Sequence, residues 1–289
     1  MSRNLVLCLG RTYADLIFAG LSGMPVLGQE RFAPEAVTVP GGGAFITAAH
    51  LAALGRRAAL VSRLGTDSIS EALAAPIAAS GIDTRFIERA ADAGPQITVV
   101  MVQGQERAFL TRRAGKARPE SLEAALADAD ASHLHIGEAA SLVEMPDLVA
   151  RAKACGLTVS LDPSWDDAVI HRRDLIDLCQ GVDLFLPNAA EARALTGRDD
   201  PAVALEALAL RFPLVVLKLG AGGAMLGAYG TRLMMPAPIV PVVDTTGAGD
   251  AFNAGFLAAW LDREPLEACL AMAIAAGSRA VGRLGGAAR

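Results

Sequence analysis

Asp250 follows Gly247-Ala248-Gly249 at the point where an apolar stretch ending near Val243 gives way to an uncharged run from Ala251 to Leu261. Such a run predicts a buried helix, whose first turn leaves backbone N–H groups unpaired and carries the positive end of the helix dipole. Glycines at that turn let an anion approach closely, so the segment predicts an anion hole with a carboxylate beside it. Phosphoryl transfer needs this pairing, because charge must be neutralised and a hydroxyl proton must be taken. Aspartate is also favoured at helix starts as a cap, and taken alone Asp250 fits that role equally well. A dinucleotide fingerprint fits worse, since Phe252 stands where a third glycine would be and the segment comes late in the chain. No GxxxxGK[ST] occurs, which excludes a P-loop enzyme.

The elements that must position this turn are those of an α/β fold. Apolar runs of strand length at Asn4–Gly10, Ala58–Ser62, His133–Gly137, Thr158–Asp162, Asp183–Pro187 and Leu214–Leu219 alternate with amphipathic stretches. That pattern predicts a mostly parallel sheet covered by helices on both faces, a three-layer α/β/α arrangement. Helices are expected at Ile46–Leu54, Ser68–Ser80, Leu142–Ala154, Pro201–Arg211, Ala248–Leu261 and Leu266–Val281, with Gly55, Gly81 and Gly156 closing three apolar patterns. Two stretches, about 13–37 and 94–113, break the rhythm. The second reads as a hairpin turning at Gln103-Gly104-Gln105, and together they predict a small β-sheet over one end of the main sheet. Residues 1–289 are read as a single domain with this appendage.

Composition excludes several classes. With 53% hydrophobic and 20% charged residues and a mean hydropathy of +0.38, the chain is globular and not disordered. A formal net charge of -5 provides no cationic field for nucleic acid. Cys8, Cys155, Cys179 and Cys269 are far apart and form no CxxC, which speaks against a zinc ligand set or a disulfide framework. The longest uncharged run, Ala36 to Gly55, contains Pro40-Gly41-Gly42-Gly43 and reads as loop plus buried helix, not a membrane span. The first residues run into a strand without an export signal, so a cytoplasmic location is expected. His133 and His135 share one strand face but lack a third ligand, which favours a structural role over metal.

Asp244-Thr-Thr-Gly-Ala-Gly-Asp-Ala-Phe resembles the carboxy-terminal signature of the ribokinase-like (PfkB) carbohydrate kinases, and the resemblance extends over essentially the whole chain. Gly10-Arg-Thr-Tyr-Ala-Asp15 is similar to that family's first strand and its sugar-binding aspartate. Pro40-Gly41-Gly42-Gly43 with Thr47-Ala48 resembles its amino-terminal signature, and Gly65-Thr66-Asp67 its next turn. Pro187-Asn188-Ala-Ala-Glu191 is similar to its Asn-x-x-Glu element, and Lys218-Leu-Gly220-Ala-Gly222-Gly223 to its nucleotide-loop strand.

The resemblance implies an ATP- and Mg²⁺-dependent kinase acting on a hydroxymethyl group of a sugar. Asp250 is then the base and the Gly247, Ala248 and Gly249 amides the anion hole. Asp15, Gly41, Gly42, Ile46, Tyr13 and Glu138 bind substrate, while Asn188, Lys218, Gly220, Gly222 and Gly223 bind nucleotide. Asn188 and Glu191, one helical turn apart, would face Mg²⁺ through water. Asp244 and Thr246 match positions that bind K⁺ in some relatives, and the small sheet is expected to act as a lid that pairs two subunits.

Departures from the family pattern sharpen the reading. Ile46 stands where a sugar-binding asparagine is usual, Tyr13 where residues are often small or polar, and no adenine-side asparagine is evident in Ala271–Gly277. A nucleoside kinase is the nearest alternative, and a catalytically silent sugar-binding regulator the alternative from another class. Asp166-Asp167 and Asp199-Asp200 read as solvated helix starts.

Overall fold

The computed structural model describes residues 3–104, 106–228, 230–283 and 285–288. Its strands, in chain order, are β1 (Leu5–Leu9), β2 (Tyr13–Ala19), β3 (Glu35–Gly41), β4 (Ala58–Leu64), β5 (Ile87–Arg89), β6 (Ile97–Gln103), β7 (Glu106–Arg112), β8 (Ala131–Ile136), β9 (Thr158–Leu161), β10 (Leu184–Phe185), β11 (Leu214–Lys218), β12 (Ala224–Ala228) and β13 (Thr231–Met235). Nine form one sheet in the order β13-β12-β11-β10-β9-β8-β1-β4-β5, and four form another in the order β3-β2-β6-β7.

The large sheet is parallel from β11 to β5, and β12 and β13 add antiparallel strands at one edge. Alternation along β1 shows why both faces are covered. Leu5, Leu7 and Leu9 enter one core cluster, and Val6 and Cys8 enter the other. Helices Leu122–Leu126, Leu148–Ala154 and Pro201–Ala209 pack in the first cluster. Helices Gly43–Ala53, Ser68–Ala79, Ala248–Leu261 and Leu266–Ala280 pack in the second. This is the expected mostly parallel α/β/α sandwich.

The small sheet joins the two arrhythmic stretches by parallel pairing of β2 with β6, with β3 and β7 antiparallel at its edges. Its own cluster is slight: Ile17, Ala19, Val100 and Val102, with Val39 against them. The β6–β7 hairpin opposes Gln103 to Glu106, with Gly104 at φ 58°; Gln105, the third residue of the expected turn, lies outside the described residues.

Three local expectations need correction. The single helix expected over Leu142–Ala154 is two, Ala140–Glu144 and Leu148–Ala154, broken where Pro146 excludes its predecessor from helical geometry. The β3 strand runs on to Gly41, so Pro40-Gly41 is strand and not loop. The hairpin β12–β13 was not foreseen because residues 223–235 lack strict alternation. Among the described residues, no helix is long and apolar enough to cross a membrane.

Candidate active site

Parallel strands deliver their carboxyl ends to one edge, and the chemistry-bearing residues stand there. Gly10 and Arg11 follow β1, Gly137 and Glu138 follow β8, Asp162 follows β9, Asn188 comes after β10, and Lys218 ends β11. With the small sheet on one side, they line a cleft of about 1310 Å³. Tyr13, Asp15, Gly42, Ile46, Glu138, Asn188, Glu191, Lys218, Gly220, Gly223, Thr246, Gly247, Ala248, Gly249 and Asp250 all lie along it. Gly41, Gly222 and Asp244 fall outside the lining: Gly41 is in the β2–β3 ladder beneath the Asp15 carboxylate, Gly222 in a 3₁₀ turn, and Asp244 is buried under the anion turn.

Gly247 caps the Ala248–Leu261 helix at φ 72°, a left-handed conformation open to glycine. The Ala248 N–H is partly engaged, donating to the Thr245 carbonyl at 3.3 Å. Those of Gly247, Gly249 and Asp250 have no partner among the described residues, so two of the three expected amides are free and that of Asp250 joins them in place of Ala248. A second helix points its amino end at the same place. Gly42, at φ 96°, precedes the Gly43–Ala53 helix, and a Cβ on Gly43 would lie 3.0 Å from Asp250 Oδ1. Two positive helix ends thus converge on the Asp250 carboxylate.

Behind Asp250 lies a polar knot. Lys218 Nζ donates to Asp162 Oδ2 at 2.5 Å and to Asn253 Oδ1 at 3.3 Å, while Asn253 Nδ2 donates to Asp162 Oδ2 at 2.6 Å. Burial opposes both charges, yet each outweighs it for the other: Lys218 is held above its ordinary pKa by Asp162 and Glu191, and Asp162 below its own by Lys218 and Asn253. Asp250 and Glu191 are each pushed up to about 7, by burial first and then by the Asp162 charge, with Lys218 opposing. Asp162 and Asn253 were missed from sequence. The available signal was one amide in an otherwise uncharged, apolar helix, three residues after Asp250.

At the other end, Asp15 is buried and pushed up to about 7 by desolvation and by Asp244. Glu138 accepts from the buried Arg11, whose guanidinium also pairs with Glu144. The Tyr13 hydroxyl accepts from Arg113 Nε at 3.4 Å, and Arg113 Nη1 donates to Asp166 at 2.6 Å. Asp166 is therefore more than a helix start: it caps Asp167–Ile170 and also lines the cleft. Asp200 is a plain cap, accepting from Ala202 N–H. Phe109 and Trp165 complete an aromatic trio with Tyr13 along the lining. Ile46 faces the cleft and also abuts Gly286.

The lining also includes the apolar side chains of Ile239, Val240 and Ile274, with Gly277 and Ser278. Asn188 and Glu191 form a capping box: Asn188 Oδ1 accepts from Glu191 N–H at 2.9 Å, and Glu191 Oε2 from Asn188 N–H at 2.8 Å. Asp244 accepts from the N–H groups of Thr246 at 2.8 Å and Gly285 at 2.9 Å, and Thr246 Oγ1 is buried without a partner among the described residues. His133 and His135 are structural. Both are fully buried, both bond to Ser160 Oγ, and burial lowers both pKa values.

The site is thus a deep cleft at the carboxyl edge of a parallel sheet, with a carboxylate at a glycine-capped helix end. The sequence matches the pfkB family carbohydrate kinase over residues 3–288, and the chain belongs to that family. Its members are kinases with an alcohol acceptor. A cytidine kinase of Thermococcus kodakarensis is 30% identical over 253 residues, 82% of this chain and 86% of that protein. The bifunctional protein HldE of Azotobacter vinelandii is 32% identical over 261 residues, 84% of this chain but only 52% of its own length. Ribokinase of Arabidopsis thaliana complexed with ribose and ATP has a TM-score of 0.79 at 26% identity, covering 99% of this chain and 94% of that one. A structure of an E. coli protein described as a putative ribokinase II, in complex with ATP and Mg²⁺, has a TM-score of 0.80 at 22% identity, with the same coverage.

Replacing Lys218 with Met strands the buried Asp162 carboxylate, so the variant should lose about 3–5 kcal/mol of stability in urea denaturation. Adding Asp162→Asn should recover part of that loss. A Lys218→Met protein as stable as the parent would show that the knot is not a structural ion pair.

Proposed function

We propose that this chain transfers the γ-phosphoryl group of ATP to a hydroxymethyl oxygen of a sugar or sugar-like acceptor, with Asp250 as general base. The observation that carries the reading is the Asp250 carboxylate at two converging helix ends, beside unpartnered amides and in one cleft with Asp15 and Glu138. The acceptor's O–H proton passes to Asp250 as its oxygen bonds to phosphorus, and the nucleoside diphosphate departs. The amides of Gly247, Gly249 and Asp250 bind the charge that develops on the transferred group.

The apolar lining at Ile239, Val240 and Ile274 suits a base, and Lys218 Nζ lies 3.6 Å from where a Cβ on Gly249 would stand, beside the anion hole. Among the described residues no cluster of three or more His, Cys, Asp or Glu could hold a metal. The capping box leaves Glu191 Oε1 and Asn188 Nδ2 without a partner among the described residues, and of the two only Oε1 can accept. These residues fit Mg²⁺ carried on the nucleotide phosphates and touched through water, not a protein-built metal site. Bound there, Mg²⁺ would neutralise phosphate charge.

A nucleoside acceptor is the second reading, favoured by Tyr13, Phe109 and Trp165 along one end of the cleft, where a planar base could stack. The small sheet supports a lid role. Phe18 and Leu110, on its outer face, are exposed, and pairing of two lids in a homodimer would cover them. The orphaned Thr246 Oγ1 and the Asp244 carboxylate support a K⁺ beside the anion turn. The net charge of -5 supports a small-molecule acceptor over a nucleic-acid or anionic-membrane partner.

Asp250→Asn should lower kcat by about 10²–10⁴ with little change in KM. Because burial raises the Asp250 pKa to about 7, the parent's base form declines as pH falls through that value, and kcat should decline with it; an Asp250→Asn kcat within about tenfold of the parent's would remove Asp250 from the base role. Ile46→Asn should shift kcat/KM toward a fully hydroxylated sugar, ribose included, because Ile46 offers no partner to a buried hydroxyl, a deficit of about 1–3 kcal/mol. A parent that already prefers ribose, or an unshifted variant, would remove Ile46 from the sugar contacts. Sedimentation and activity measured in potassium and in tetramethylammonium chloride address lid and cation together. A dimer active only with K⁺ is expected, a monomer would end the shared-lid idea, and equal rates would end the K⁺ idea.

A further inference from the structure

We propose that Arg11 is a positioning residue for the acceptor: it locks Glu138 so that one carboxylate oxygen is held by the protein and the other is left to a substrate hydroxyl, and it ties that lock to the segment leaving the small sheet. The proposal rests on the reading of this cleft as a kinase acceptor site. Neither half of it follows from the sequence signatures, in which Arg11 is only the residue after Gly10.

Glu138 Oε1 accepts three bonds, from the Arg11 backbone N–H at 3.3 Å, from Arg11 Nη1 at 3.2 Å and from Ser141 Oγ at 3.4 Å. Oε2 accepts none among the described residues and is not among the sealed atoms, while Glu138 lines the cleft. An ionised carboxylate only accepts, with about four sites to fill, so Oε2 is a fixed acceptor waiting for a hydroxyl donor. Fixing it in advance matters because ordering a long glutamate side chain at binding would cost about 0.5–1.5 kcal/mol.

Arg11 is 3% exposed and spends its other nitrogen, Nη2, on the Gly115 carbonyl at 3.2 Å and on Glu144. Glu144 Oε2 in turn accepts from Ala117 N–H at 2.6 Å. Gly115 and Ala117 belong to the segment that leaves β7, so one guanidinium bridges the substrate carboxylate and the exit of the small sheet. A planar fork can hold two carboxylates and a carbonyl at once; a lysine ammonium on a flexible stem cannot hold them in the same geometry. Arg11 Nε is sealed and has no partner among the described residues, so the guanidinium's hydrogen bonds are all made at the Nη1 and Nη2 ends.

The test is a double-mutant cycle in steady-state kinetics on an acceptor that the parent phosphorylates, with thermal unfolding run alongside. Arg11→Met should raise the acceptor KM about ten- to hundredfold, with nucleotide KM unchanged and kcat within about threefold. In a Glu138→Gln background the same replacement should change acceptor KM by less than about twofold, because Arg11 acts through Glu138. Arg11→Lys should recover only part of the loss, and it carries the same cycle if Arg11→Met does not fold. An acceptor KM equal to the parent's, or an effect undiminished by Glu138→Gln, overturns the proposal while leaving the kinase reading intact. A parent that phosphorylates no sugar or nucleoside overturns the kinase reading, and this inference with it.

Discussion

One buried ammonium holds the cleft floor together. Lys218 is the cation shared among Asp162, Glu191 and Asp250, three carboxylates contributed by different parts of the chain and brought together by the sheet. Without it, burying those carboxylates at one sheet edge would concentrate negative charge where solvent cannot screen it. With it, Asp162 is fully engaged and the remaining two carboxylates sit near the point where small changes in surroundings decide their protonation. The floor therefore concentrates titratable charge at one sheet edge, with a single ammonium set against three carboxylates.

The backbone makes this arrangement possible. Parallel strands end together, so residues far apart in sequence meet without long loops. The two helices whose amino ends face Asp250 are themselves buried in the second core cluster, and their dipoles are fixed by packing and not by local preference. Gly255 lets the helix that follows the anion turn press onto Leu266–Ala280, where a Cβ would meet the Met272 carbonyl at 2.7 Å. Electrostatic stabilisation that needs no rearrangement at the moment of reaction is what such rigid placement supplies.

Much of this was legible from residue order. The Gly247–Asp250 turn could be read because helix starts and glycine have strong local rules, and the main strands because apolar runs of strand length are distinctive. What stayed hidden was pairing across distance. Nothing adjacent to Asp162 or Lys218 in sequence indicates that they meet, 56 residues apart. Arg11 carries no role of its own in the sequence and Asp166 reads as a solvated helix start, because their partners, Glu138, Glu144 and Arg113, come from distant parts of the chain. The same holds for the capping box: spacing placed Asn188 and Glu191 on one turn, but only the folded turn shows that each is largely occupied with the other's backbone.

The pairing of β2 with β6 has a kinetic side. Residues 14–18 meet residues 97–101 in parallel register, and the intervening chain contains β4 and β5 of the large sheet. The small sheet thus closes a long loop for a modest hydrophobic return, since its own core is a handful of side chains. Long-range pairing of this kind is slow to form and the first to open. The same topology that sets the small sheet over the cleft leaves it few buried side chains of its own to hold it there, the mark of a region that opens at lower free-energy cost than the sheet beneath.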